Sequence, residues 1–129
     1  MIQTTTATNP DISACTTVPA SAGPVSYYGV YFSGCAKVES PTNPANSDPV
    51  AYPPITSILS GSLSACDAVR QCAQLTRNDP NVYYSFDLHF RISTGNWECV
   101  QYYDNNLDSS YFSVVDPDVR DAYGYGAYS

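Results

Sequence analysis

Polar and apolar side chains alternate through VYYSFDLHF. Phe86, Leu88 and Phe90 point one way, and Asp87, His89 and Arg91 point the other. A period of two is that of a strand with one buried face. Ser93-Thr94-Gly95-Asn96 reads as the loop of a hairpin, and WECVQYY as its second strand. Folding about that loop sets Ile92 opposite Trp97, Phe90 opposite Cys99, Arg91 opposite Glu98 and Asp87 opposite Tyr102. Trp97, Cys99 and Gln101 then share the core face of Phe86, Leu88 and Phe90.

The pattern changes to a helical period in ACDAVRQCAQLTR. Ser64 stands at the N-cap with Asp67 three residues on, and Asn78-Asp79-Pro80-Asn81 stops the run. VSYYGVYFS, residues 25–33, is aromatic and β-branched and predicts a first strand. SYFSVVD predicts a later one, and DPDVRDAYGYGAYS reads as an irregular Tyr/Gly tail. Residues 39–54 hold five prolines and form a loop. Residues 1–24, rich in Thr, Ala, Ser and Pro, read as an extended arm ahead of a single domain over 25–129. The expected fold is α+β, with one helix packed on a twisted antiparallel sheet of about four or five strands.

Charge narrows the function. Twelve acidic residues against five basic ones give a net charge of −7. Nucleic acid and anionic membrane surfaces are recognised by Lys and Arg, so both are excluded as partners. No run reaches the roughly 18 apolar residues of a membrane span, and MIQTTTATNP is not a signal peptide. The chain is therefore a mature form without its leader, or cytosolic. Cys15, Cys35, Cys66, Cys72 and Cys99 show no CxxC pair, and one His exists, so disulfides are favoured over zinc and a secreted location follows. Cys66 and Cys72 are six residues apart in the helix, about 120° around its axis. Each needs its own partner, and the fifth cysteine is left over.

The chemistry offered is sparse. His89, with Asp87 and Glu98, is the only nucleus of a catalytic or metal site. On an outer sheet face it reads as a solvated residue beside an Arg91–Glu98 ion pair. The clusters Asp104–Asp108 and Asp116–Asp121 carry oxygen ligands but do not fit an EF-hand loop. No enzyme, no cofactor and no metal is expected. Twelve tyrosines exceed what one small core holds, so outward rings are expected to form a binding surface. The candidates are Tyr83, Asp87 and Tyr102 on one face, a ring beside a carboxylate that suits a sugar.

CDAVRQC, then YYSFDLHF, then WECVQYYD, together with the upstream YYGVYFSGCA, resembles the PAN/apple and WSC disulfide domains. In composition the chain resembles small secreted proteins of filamentous fungi. The resemblance spans roughly residues 27–103. It implies a link from a helix cysteine, Cys66 or Cys72, to Cys99. Cys66 is preferred because the first helical turn lies near the sheet, which leaves Cys35 for Cys72. The chain departs from the pattern where Tyr83 or Tyr84 stands at a family cysteine, so sugar-binding residues are not carried over. The expected function is a non-catalytic secreted module, free in the extracellular space or held at the cell wall, that binds a glycan or a protein through exposed tyrosines. The alternative is an accessory subunit that stabilises a larger secreted enzyme such as an oxidase.

Overall fold

A computed structural model describes residues 12–20, 27–39, 53–78, 83–103 and 107–128. In chain order the elements are β1 (Thr17–Pro19), β2 (Tyr27–Gly34), β3 (Lys37–Val38), β4 (Ile55–Leu59), α1 (Ala65–Asn78), β5 (Ser85–Arg91), β6 (Asn96–Tyr102), β7 (Val114–Val115) and β8 (Val119–Tyr128). Single 3-10 turns occur at Ser13–Cys15 and Ser109–Tyr111. The main sheet is antiparallel with six strands in the order β1-β2-β8-β5-β6-β4, and β3 and β7 form a separate two-stranded sheet. The α+β class and single helix agree with the sequence, but there are more strands than the four or five expected.

The helix begins where the cap places it. Ser64 Oγ accepts the Asp67 amide at 3.2 Å, and the Ala68 amide bonds the Ser64 carbonyl at 2.9 Å. Ala65, Ala68, Val69, Cys72, Ala73 and Thr76 form its buried stripe, at spacings of three and four. That stripe packs on Leu59, Phe86, Leu88, Trp97, Cys99, Tyr123 and Tyr125, from four strands of one sheet face. Trp97 Nε1 donates to the Leu63 carbonyl at 3.1 Å, so its buried N–H is satisfied.

Three sequence expectations need correction here. The Tyr/Gly tail is β8, a ten-residue strand in the middle of the sheet between β2 and β5. Tyr123 and Tyr125 point to the helix side, while Ala122, Gly124 and Gly126 keep the other side flat. SYFSVVD does not join that sheet; it supplies a 3-10 turn, Phe112 and the short β7. β4, not foreseen at all, pairs with β6 along the sheet edge. The arm also shrinks: Thr17–Pro19 pairs with β2, so the fold starts before residue 25.

The hairpin β5–β6 is shifted by two residues from the expected register. Phe90 lies opposite Trp97, Leu88 opposite Cys99 and His89 opposite Glu98. The cause is the turn: Gly95 takes φ +68°, and its amide bonds the Arg91 carbonyl at 2.9 Å, making Ile92–Gly95 the loop. A shift of two preserves the side-chain faces, so the assignment of core and polar faces survives.

The disulfides are Cys15–Cys66 and Cys72–Cys99. A helix cysteine is bonded to Cys99, but it is Cys72 and not Cys66. Cys72 lies in the buried stripe above β6, whereas Cys66 sits one position off it and reaches sideways to Cys15. Cys35, the expected partner of Cys72, is an exposed thiol at the corner between β2 and β3.

Candidate functional site

The sheet has a second covered face. A bulge between Val30 and Phe32 turns both Tyr31 and Phe32 onto it. Phe112, from the segment after the 3-10 turn, stacks on Phe32 with centroids 4.1 Å apart and meets Tyr31 edge-on at 5.9 Å. Together with Val38, Val119 and Ala122 they make a small second core. This cover lies over the face that alternation alone assigns to solvent.

The polar residues of that face are consequently inside. Asp87 is 1% exposed and His89 3%. Of the candidate binding residues, Tyr83 at 3% and Tyr102 at 2% are as deeply buried as Asp87. The three therefore form no surface for a ligand. Tyr83 hydroxyl donates to the Pro53 carbonyl at 3.0 Å, and Tyr102 hydroxyl lies 3.5 Å from the Glu39 carbonyl. Asp87 instead accepts the Glu39 amide on Oδ2 at 2.9 Å and His89 Nδ1 on Oδ1 at 3.0 Å.

His89 joins two strands. Its Nε2 is 2.8 Å from Glu98 Oε1 on β6. Both partners are carboxylate oxygens, which only accept, so both bonds exist together only when both ring nitrogens carry protons. Burial disfavours the charge, but hydrogen bonds and attraction from Asp87 and then Glu98 outweigh it and raise the His89 pKa above its ordinary 6.5. Glu98 passes the chain onward: its Oε2 is 3.1 Å from Arg91 Nε. Arg91 Nη1 bonds Asp116 and Asp118 at 3.2 Å each. Asp118 in turn accepts the Ser93 amide at 2.9 Å and the Ser93 hydroxyl at 2.6 Å. The expected Arg91–Glu98 pair is thus present, within a larger network.

At the other end, the Tyr31 hydroxyl donates to Glu39 Oε1. Burial, reinforced by Glu39 and Asp87, pushes the Tyr31 and Tyr102 hydroxyls far above the usual phenol range, so both stay neutral donors. Glu39 and Tyr31 were not singled out from the sequence, and Asp116 and Asp118 were read only as an acidic cluster of oxygen ligands, not as partners of Arg91. The signal available was the pair Gly124 and Gly126 on the same face as His89. Small residues in a central strand mark close approach by another layer.

Chemically this arrangement holds a proton and does not offer one. Both His89 nitrogens are engaged, and neither faces a cleft. Among the described residues no group of three or more His, Cys, Asp or Glu is disposed to hold a metal. Of the acidic clusters, Asp104–Asn106 lies outside the described residues. Asp108 caps the second 3-10 turn by accepting the Ser110 amide at 2.9 Å, and Asp116 and Asp118 face Arg91.

Of the tyrosines, Tyr28, Tyr83, Tyr102, Tyr123 and Tyr125 are buried. Tyr27 and Tyr128 are exposed, at 38% and 39%. They are cross-strand partners on β2 and β8, stacked with centroids 5.1 Å apart and planes within 10°. Gly29 lies against them, close enough that a Cβ there would come within 2.9 Å of the Tyr128 ring. A depression of about 180 Å³ beside β1 is lined by Val18, Pro19, Arg70 and Gln74, below the roughly 300 Å³ of ordinary small-molecule sites. No helix among the described residues is long and apolar enough to cross a membrane. Comparison of the chain with family models, curated proteins and solved structures gave no match.

Proposed function

We propose that the chain is a non-catalytic, secreted binding module that takes a glycan on the Tyr27–Tyr128 pair. The carrying observation is that pair: two parallel rings, each more than one-third exposed, at the end of the sheet that the Phe112 cover does not occupy. Rigid tyrosine rings stack on the CH faces of sugars and hold polar groups at their tips, at low entropy cost. Two disulfides support a location in the secreted space, the cell wall included. The helix-to-strand link Cys72–Cys99 supports kinship with PAN/apple-like domains. The engagement of both His89 nitrogens supports a function without catalysis.

Titration on an array of fungal and plant glycans tests this reading. Tyr27→Ala and Tyr128→Ala should each weaken binding by about 1–2 kcal/mol, the size of a lost aromatic contact with its buried area. Absence of any glycan binding by the unaltered protein at millimolar levels, or full binding by both variants, contradicts it.

A second reading has its own support. Among the described residues β4 is the last strand on one side of the sheet, and ITSIL contains no charge, proline or glycine. Its Ile58 is 59% exposed. Sheet edges left this plain pair readily with another chain, which suits an accessory subunit of a larger secreted protein. On that reading Ile58→Lys abolishes co-purification with the partner and leaves glycan binding unchanged.

A further inference from the structure

Of the polar points that fasten the cover on the second face to the sheet, two run through the carboxylates that His89 touches. One is the Glu39 amide on Asp87 Oδ2. The other runs from Glu98 through Arg91 to Asp116 and Asp118, the loop that leads into β8. Asp118 also bonds back to the hairpin tip: the Ile92 amide donates to its carbonyl at 2.7 Å, and the Ser93 amide to its carboxylate at 2.9 Å.

We propose that His89 is a proton-operated latch: protonated, it clamps Asp87 and Glu98 together and seats the Asp116–Asp118 loop; deprotonated, it lets Glu98, Arg91 and that loop go. A neutral imidazole has one N–H and one lone pair. One of its two carboxylate contacts must then become acceptor against acceptor. Asp87 is fully enclosed, whereas the Glu98 side chain is 19% exposed and can turn to water. Losing the bond to the wetter group costs less, so the remaining proton stays on Nδ1 with Asp87. The Glu39 fastening holds, and the Arg91 fastening loosens. The loop therefore opens as pH rises and closes as it falls.

The other charged groups around His89 do not reverse that order. On its own strand stand Asp87 and Arg91, and on β6 stand Glu98 and the neutral Tyr102 hydroxyl. β8 places Ala122 opposite His89 and pairs its own Arg120 with Asp121. From the cover come Glu39, Asp116 and Asp118, and from β2 the neutral Tyr31 hydroxyl. The acidic groups outnumber Arg91 at this place, so they hold the proton on His89. The raised His89 pKa agrees with that balance.

His89 is the sole histidine, so an untagged protein gives one imidazole signal by NMR. The ring should titrate above 6.5, and Glu98→Gln should bring it down. Hydrogen exchange, corrected for the intrinsic pH effect, should speed up at least tenfold at the Ile92, Ser93 and Asp118 amides across that titration. The Glu39 amide should stay protected. His89→Gln should abolish the step and leave those amides fast at every pH. Titration at or below 6.5, or loop amides that show no step in a folded protein with a titrating ring, overturns the latch. Equal loosening at Glu39 overturns the assignment of the retained proton to Asp87.

Discussion

Gly124 has no side chain, and the rings of Phe112 and Tyr31 occupy the space where one would be. A Cβ there would lie 2.5 Å from Phe112 and 2.7 Å from Tyr31. Gly124→Ala should therefore cost about 1–3 kcal/mol in urea unfolding, the usual range for overpacking. Gly29→Ala is the control. Its conflict is 2.9 Å to the edge of the exposed Tyr128 ring, which can swing away, so the loss should be smaller. Equal, negligible losses at both positions would mean that Phe112 does not seat on β8. The same residues explain what the sequence hid. Alternation correctly put Asp87, His89 and Tyr102 on one face and Phe86 and Leu88 on the other. Whether a face meets water depends on a layer contributed from far along the chain. Phe112 is 23 residues from His89, and no local period reports that contact. The tyrosines misled for a related reason. Five of them are buried, and hydroxyls among them find partners inside, as Tyr125 does on the Cys15 carbonyl at 2.7 Å and Tyr28 on the Tyr83 carbonyl at 2.9 Å.

The elements most legible in the sequence were those with local punctuation. The Ser64 cap and the helical stripe appear where the pattern puts them, and the β5–β6 hairpin has the expected faces with its register shifted by two residues. β8 was missed because Gly124 and Gly126 resemble tail composition, although Tyr123, Tyr125 and Ala127 alternate with them at the period of a strand, one buried on both faces. The pairing of cysteines was also legible in principle. Cys72 continues the row Ala65, Ala68, Val69 and Cys66 does not, so Cys72 faces the sheet. Non-reducing peptide mapping should recover Cys15–Cys66 and Cys72–Cys99 with Cys35 as a free thiol. A Cys66–Cys99 peptide would contradict the seating of the helix. Cys72→Ala together with Cys99→Ala should cost about 2–4 kcal/mol. Removing residues 119–129 distinguishes a strand from a tail. Since β8 joins β2 to β5, truncation should abolish the near-ultraviolet circular dichroism and protease resistance of the whole domain. Retention of both would return the segment to a dispensable tail.

Six strands with a helix on one face and a polar-centred cover on the other make a molecule whose stability depends on pH from both sides. On the acid side, the hydrogen bonds from Ser110 to Asp108, and from Ser93 and Arg91 to Asp118, lower those carboxyl pKa values below 3.8. Their contribution is present above 3.8 and fades as pH falls through the lowered values. On the alkaline side, the raised pKa of His89 works in the opposite sense. Its contribution is complete below 6.5 and is lost as pH rises through the folded-state value. The buried tyrosine hydroxyls extend the loss above pH 10. Thermal unfolding should show a maximum between about pH 4 and 6.5, and a maximum above pH 8 would contradict this assignment of charges. The enclosed second face underlies the placement of the ligand surface at Tyr27 and Tyr128 as well as the latch. Urea unfolding of His89→Ala at pH 5 tests that enclosure most directly. With Asp87 and Glu98 left facing each other under the cover, the variant should lose about 3 kcal/mol or more, as when one partner of a buried ion pair is removed. A change within about 0.5 kcal/mol, the range of an ordinary surface site, would mean that His89 meets water and that the second face is open.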